Sequence, residues 1–137
     1  MSHPDLYLLV DGKRLKGEGR RTQSVINPAT GETLGQVPLA TTSDLDRALE
    51  AAQRAWPAWR ALGPQQRGRI LRKAADLLRE RGEAIARLAT LEEGKTLPEA
   101  RVELTIAAEI FDWYAEEGRR AYGRVLPQRT AGVRMTV

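Results

Sequence analysis

The 137-residue sequence contains no cysteine and one histidine, His3. The first absence excludes disulfides, thiolate metal ligands and a cysteine nucleophile, and it is neutral on redox compartment. A serine nucleophile needs a base held beside it. His3 lies at an end expected to be mobile, so it is a poor base. No spacing of histidine and carboxylates matches a metal site. No apolar run approaches the roughly 18 residues of a membrane span. The N-terminus, Met1 to Arg14, lacks the basic and long apolar regions of a secretory signal, so a cytoplasmic protein is expected. Gly17-Glu18-Gly19 lacks the third glycine and the strand-to-helix setting of a phosphate loop, and reads as a surface turn.

What is present describes one ordinary globular segment, 42% hydrophobic and 29% charged. The formal net charge is +4. Its bases alternate with acids at Arg79, Glu80, Arg81, Glu83 and Arg87, as on a solvated helix face. The densest basic cluster is Arg119-Arg120 with Arg124. No nucleic-acid partner and no membrane partner are expected. Glu92-Glu93 and Glu116-Glu117 are adjacent pairs, and neighbours on a helix point apart, so neither is an acid/base dyad. Trp56, Trp59, Trp113 and Tyr114 read as core or interface aromatics.

The pattern begins with period two. Tyr7 to Val10 and Lys13 to Leu15 flank Asp11-Gly12, a strong two-residue hairpin signal. Ser24 to Ile26 and Thr33 to Val37 flank a turn in which Pro28 presets one angle and Gly31 supplies a permissive one. From Thr42 the period becomes 3.6. Ser43 is the expected N-cap, with Asp46 three residues on. Leu45, Ala48, Leu49, Ala52, Ala55 and Trp56 form one stripe, and Pro57 is expected to end or kink the helix. Pro64 opens the next helix, with Ile70, Leu71, Ala74, Ala75 and Leu78 on one face and a stop near Gly82. A further helix uses Ile85, Leu88, Ala89 and Leu91 and ends at Gly94. Thr96 with Glu99 is a capping box for the longest helix. Val102, Ile106, Ile110 and Trp113 are its expected buried stripe, to about Ala121, with Gly123 closing it. Val133 to Val137 reads as an orphan strand. Hairpins over 1–41, about four helices over 42–122 and a strand start over 125–137 make an α+β segment.

Several of these segments resemble the front of the aldehyde dehydrogenases. Asn27-Pro28-Ala29-Thr30-Gly31-Glu32 resembles their early turn, and Ala52 to Trp59 the helix and break that follow. Arg67 to Arg87 resembles the next helical pair. Leu91 to Lys95 matches their glutamate-x-glycine-lysine turn. Trp113 to Arg120, with Tyr122, Gly123 and Pro127, resembles the succinate-semialdehyde dehydrogenase branch. The likeness covers about Leu9 to Val137, and the order and spacing of the motifs make it specific.

That resemblance implies NAD(P)-dependent oxidation of a small aldehyde, succinate semialdehyde above all, to its carboxylic acid. In the family a cysteine thiolate attacks the carbonyl, an asparagine and backbone amides hold the oxyanion, and a glutamate activates water. None of those groups is in this chain. It is expected to be a segment of an α/β fold, truncated before the Rossmann-like cofactor domain on which its helices pack. No residue here is expected to be catalytic or to bind NAD or NADP, and the isolated chain is expected to be inactive. The resemblance also implies a homo-oligomer whose sheet includes the strand at 125–137. It maps a monovalent cation site to the backbone of Val25 and Ile26 and to Glu92. It places Val102 and Ile106 on the aldehyde entrance tunnel. The rival reading from the residues themselves is a non-catalytic helical interaction module or a truncated remnant, which an exposed apolar strand at Met135 to Val137 disfavours.

Overall fold

The computed structural model describes residues 3–126 and 130–136. Four strands come first: β1 (Leu8–Val10), β2 (Lys13–Leu15), β3 (Thr22–Ile26) and β4 (Thr33–Pro38). Three helices follow: α1 (Thr42–Ala61), α2 (Pro64–Glu93) and α3 (Leu97–Glu117). Two short strands, β5 (Val125–Leu126) and β6 (Met135–Thr136), come last. The strands form separate antiparallel pairs, β1 with β2, β3 with β4 and β5 with β6. Pro127 and Val137, singled out in the sequence, lie outside the described residues.

Both predicted hairpins form. Asp11 and Gly12 take φ of 52° and 72°, the paired positive values of a type I′ turn, whose twist matches the flanking strands. Between β3 and β4 the Asn27 N–H donates to the Glu32 carbonyl at 2.8 Å, and the Gly31 N–H to the Asn27 carbonyl at 2.8 Å. The Asn27 side chain is buried and accepts from the Ala29 N–H at 2.9 Å, so the turn is fixed by its own first residue.

The terminal strand is paired, not an orphan. Val125 lies opposite Thr136 and Leu126 opposite Met135.

The α1 cap sits two residues earlier than the sequence pattern predicts. Thr41, not Ser43, caps it, and Asp44, not Asp46, closes the box. Both choices have the right spacing, but Asp44 gains more partners. Its carboxylate, 2% exposed, accepts from the Thr41 N–H at 2.9 Å and the Thr41 hydroxyl at 2.8 Å. It also accepts from Arg20 at 2.5 and 3.2 Å and from Arg47. Arg20 comes from the β2–β3 connection, so one buried carboxylate ties the strands to the first helix. The Arg20 guanidinium and the Thr41 groups hold the Asp44 carboxyl far below the ordinary carboxylate range.

Pro57 does not end α1, which continues to Ala61. Proline removes one backbone donor, but Ala55, Ala58, Arg60 and Ala61 around it favour the helix. Nor does Gly82 divide α2, which runs unbroken for 30 residues. The predicted four helices are therefore three among the described residues. A glycine in a helix interior costs about 1 kcal/mol, and packing against α3 outweighs that.

α2 and α3 form an antiparallel hairpin. The three-residue turn starts at Gly94, which has φ 78° and donates its N–H to Thr90 O. It leads into the predicted Thr96–Glu99 capping box, with Glu99 2.9 Å from the Thr96 N–H and 2.8 Å from its hydroxyl. The interface is built from small residues: Gly68, Ala75 and Ala86 on α2, and Ala100, Ala108 and Ala115 on α3, are buried. A Cβ added at Gly68 would sit 2.8 Å from the Ala115 carbonyl oxygen. Ion pairs flank this seam: Arg79 with Asp112 at 2.6 Å, Arg101 with Glu83 at 2.9 Å, and Arg72 with Glu116.

The predicted buried stripe of α3 is instead exposed. Val102 is 58% and Ile106 48% accessible, and Ile110 and Trp113 are exposed beside them. α3 is apolar on two faces, and the alanine face lets the axes approach, so it is the one turned to α2. Leu45, Leu49 and Trp56 of α1 are exposed in the same way. α3 also ends at Glu117, short of Ala121. There the N–H groups of Arg119 and Arg120 turn back to the Glu116 and Glu117 carbonyls at 3.0 and 2.9 Å, tightening the chain out of the helix.

Two outcomes follow from this packing. Gly68→Ala should lower stability by about 1–3 kcal/mol through overpacking, while Gly82→Ala, where an added Cβ meets nothing within 4 Å, should raise it by about 0.5–1 kcal/mol. Urea melts of the two variants should thus move in opposite directions, although both make the same change in a helix. The second concerns acid. A depressed carboxyl stabilises the fold above its unfolded value of about 4, and that contribution is lost as pH falls. The melting-temperature gap between the parent and Asp44→Asn should be wide at pH 7 and narrow steadily from about pH 5 downward.

Candidate functional site

Two places on this fold bear on the residues that sequence reasoning selected. The first is where the end of α2 meets the β3–β4 turn. Gly94 brings them together: a Cβ there would lie 2.8 Å from Pro28 Cγ. Its φ of 78° already favours glycine, so both backbone shape and close approach require that residue. Val25 is half-buried and Ile26 exposed at the end of β3, one residue before the turn that touches Gly94. The β3–β4 register shifts between Val25 and Ile26: Val25 stays opposite Gly35 and Ile26 opposite Thr33, and the residue left out of the ladder is Leu34 on β4. Glu92 lies two residues before Gly94, in the last turn of a 30-residue helix. The unpaired carbonyls there carry the negative end of the helix dipole, a setting that favours a cation.

The Glu92 carboxylate, 40% exposed, has a partner that the sequence did not reveal. The Nε2–H of His3 donates to its Oε1 at 2.8 Å. His3, expected to be a mobile terminal residue, has a side chain only 5% exposed. Gly35 of β4 lies against it: an added Cβ there would be 3.4 Å from His3 Nδ1 and from Leu6 Cδ1, in van der Waals contact with both. A glycine in a strand often marks a close approach, and that signal at Gly35 was available in the sequence. Which residue approaches was not. Among the described residues, no group of three or more histidine and carboxylate side chains could hold a metal ion. Any cation held here would rely on backbone oxygens with Glu92.

The second place is the start of α3. Val102 lines an open groove of about 510 Å³ with Lys95, Pro98, Glu99 and Glu103. Ile106 lies one turn further along the same exposed face, about 6 Å away along the axis. Lys95 bridges Glu103 at 2.5 Å and Glu93 at 2.6 Å, and those hydrogen bonds raise its pKa. The Thr96 hydroxyl and N–H lower that of Glu99. The charges around Val102 are thus already paired with one another. The groove offers an apolar wall and a neutralised rim, with no nucleophile or free base. Gly17 to Gly19, read as a surface turn, lie in the connection between β2 and β3.

The sequence profile of the aldehyde dehydrogenase family matches residues 15–137. The chain belongs to the aldehyde dehydrogenase family. Among aldehyde dehydrogenase relatives and others, it is 46% identical over 130 residues to the 4-(hydroxymethyl)benzenesulfonate dehydrogenase TsaD1 of Comamonas testosteroni, covering 95% of this chain and 27% of that protein. It is 43% identical over 129 residues to the NADP(+) succinate-semialdehyde dehydrogenase GabD of Escherichia coli, covering 94% of this chain and 27% of that protein. The solved succinate-semialdehyde dehydrogenase of Burkholderia pseudomallei superposes with a TM-score of 0.88 at 39% identity, over 96% of this chain and 27% of that one. The chain therefore spans about 27% of the length of the relatives it matches, and the predicted likeness to the succinate-semialdehyde branch is borne out. No helix among the described residues is long and apolar enough to cross a membrane.

The contact that brings Glu92 toward the β3 end can be tested directly. Gly94→Ala should cost at least about 1–2 kcal/mol from the left-handed backbone alone. Removing the proline ring with Pro28→Ala should recover only the steric part. A double-mutant cycle by chemical denaturation should therefore show favourable coupling between the two substitutions.

Proposed function

We propose that this chain is the N-terminal part, residues 1–137, of an NAD(P)-dependent aldehyde dehydrogenase that oxidises a small aldehyde, succinate semialdehyde first among them, to its carboxylic acid. The observation that carries this reading is the family match from residue 15 to 137, together with relatives that include succinate- and glutarate-semialdehyde dehydrogenases. NAD or NADP supplies the hydride acceptor in that chemistry, and the residues here do not form its site. The nucleophile is likewise outside them, since the chain has no cysteine.

The work of this chain is structural and steric. Val102 and Ile106 on the open face of α3 line the path by which the aldehyde enters. The Val25 and Ile26 carbonyls and the Glu92 carboxylate hold a monovalent cation. Hard oxygen donors and a helix C-terminus fit such an ion. The exposed stripes of α1 and α3 cover a cofactor domain, and the β5–β6 region joins a sheet between subunits of a homo-oligomer in the cytoplasm.

Purified 137-residue chain should reduce neither NAD nor NADP when given succinate semialdehyde. Grafted in place of the matching segment of the Escherichia coli enzyme, it should support cofactor reduction with that substrate, followed by absorbance of the reduced nicotinamide. A folded, soluble chimera that oxidises no aldehyde would contradict the proposal.

A further inference from the structure

Lys95, in the turn between α2 and α3, touches both helices with one ammonium group. Its Nζ lies 2.6 Å from Glu93, the last residue of α2, and 2.5 Å from Glu103, near the start of α3. The Lys95 side chain is only 20% exposed, and an ion pair partly withdrawn from water is stronger than one on an open surface. The neighbouring ties do not replace it. The Thr96–Glu99 box joins α3 to its own cap. The buried residues of the alanine seam reach Ala86 on α2 and begin at Ala100 on α3, short of the end of α2. Arg101 pairs with Glu83, about three turns before that end. Glu103 follows Val102 in the chain, and both line the open groove together with Lys95. A lysine that holds Glu103 therefore also holds the turn that carries Val102. Without it, Glu93 and Glu103 lose the cation they share and repel one another.

We infer that Lys95 is a positioning residue for the aldehyde path: by bridging Glu93 and Glu103 it sets where the Val102 wall of the groove stands relative to the end of α2. This rests on the reading of Val102 and Ile106 as the wall of that path. Lys95 acts through Glu103 and not on the reacting carbonyl. A displaced wall alters how the aldehyde is received, and small misplacements of a substrate are costly.

The test compares the parent with Lys95→Met and Lys95→Arg in two settings. The first is the 137-residue chain, in which introduced cysteines are unique because it has none of its own. Spin labels on Ala84→Cys and Val102→Cys, both exposed positions, report the spread of distances between α2 and the groove wall, and circular dichroism checks the fold. Lys95→Met should broaden that spread, and Lys95→Arg, which keeps the bridging charge, should restore it. The second is the chimera with the Escherichia coli enzyme. There Lys95→Met should raise the KM for succinate semialdehyde about three- to tenfold, change kcat less than about twofold and leave the cofactor KM as it was, and Lys95→Arg should reverse the rise. A lysine that only stabilises the fold would instead lower the active fraction, and so the apparent kcat, at constant KM. An active chimera whose aldehyde KM is the same in the parent and both variants would overturn the inference, whatever the label distances, and leave the reading of the chain standing. A KM raised equally by Lys95→Met and Lys95→Arg would overturn the bridging role. A folded parent chimera that oxidises no aldehyde would overturn the reading and the inference with it.

Discussion

The close approach of α2 and α3 is the constraint on which the rest depends. Gly68, Ala75 and Ala86 facing Ala100, Ala108 and Ala115 leave no room for a larger side chain at the seam. Small residues gain little from burial one by one. They gain instead from the number of backbone and Cβ contacts that a short interaxial distance permits. Choosing that face for the seam has a direct result. The larger apolar residues of α3, Val102, Ile106, Ile110 and Trp113, are turned outward. The groove at Val102 and the alanine seam are thus two sides of one decision.

The strands are attached to the helices at separate points, among them one on α1 and one at the end of α2. At one, Asp44 gathers Arg20, Arg47 and the Thr41 cap around a buried carboxylate. At the other, Pro28 presses on Gly94 and His3 reaches Glu92. Such charged and backbone-directed contacts are specific in direction, and removing one partner leaves another buried group unsatisfied. They set where the β3 end lies relative to the end of α2, which is the geometry that the proposed ion site needs.

Local chemistry was legible in the sequence, and choices between equivalent faces were not. Asp11-Gly12, the Asn27 turn, Gly94 and the Thr96–Glu99 box were readable because each is decided by a few neighbouring residues. Ser43 and Thr41 offered the same cap spacing, and only Arg20, more than twenty residues away, decided between them. Gly82 and Pro57 carry breaker signals that tertiary packing and flanking helix formers override. The apolar stripe from Val102 was correctly seen as a stripe, yet periodicity does not say which of two apolar faces is covered. The site residues Val25, Ile26 and Glu92 came from resemblance. The His3 partner of Glu92 was missed because a docking across 89 residues leaves no periodic trace.

The alanine seam also has a consequence in time. Its two helices are joined by a three-residue turn, so their contacts close a short loop and should form early, whereas the His3 contact must wait for chain separated by most of the sequence. During synthesis the strands leave the ribosome first but find their anchors last, since Glu92 and Gly94 emerge dozens of residues later. The N-terminal end is therefore a latecomer to a scaffold made after it, and its seat on β4 is completed only once the helical hairpin is in place.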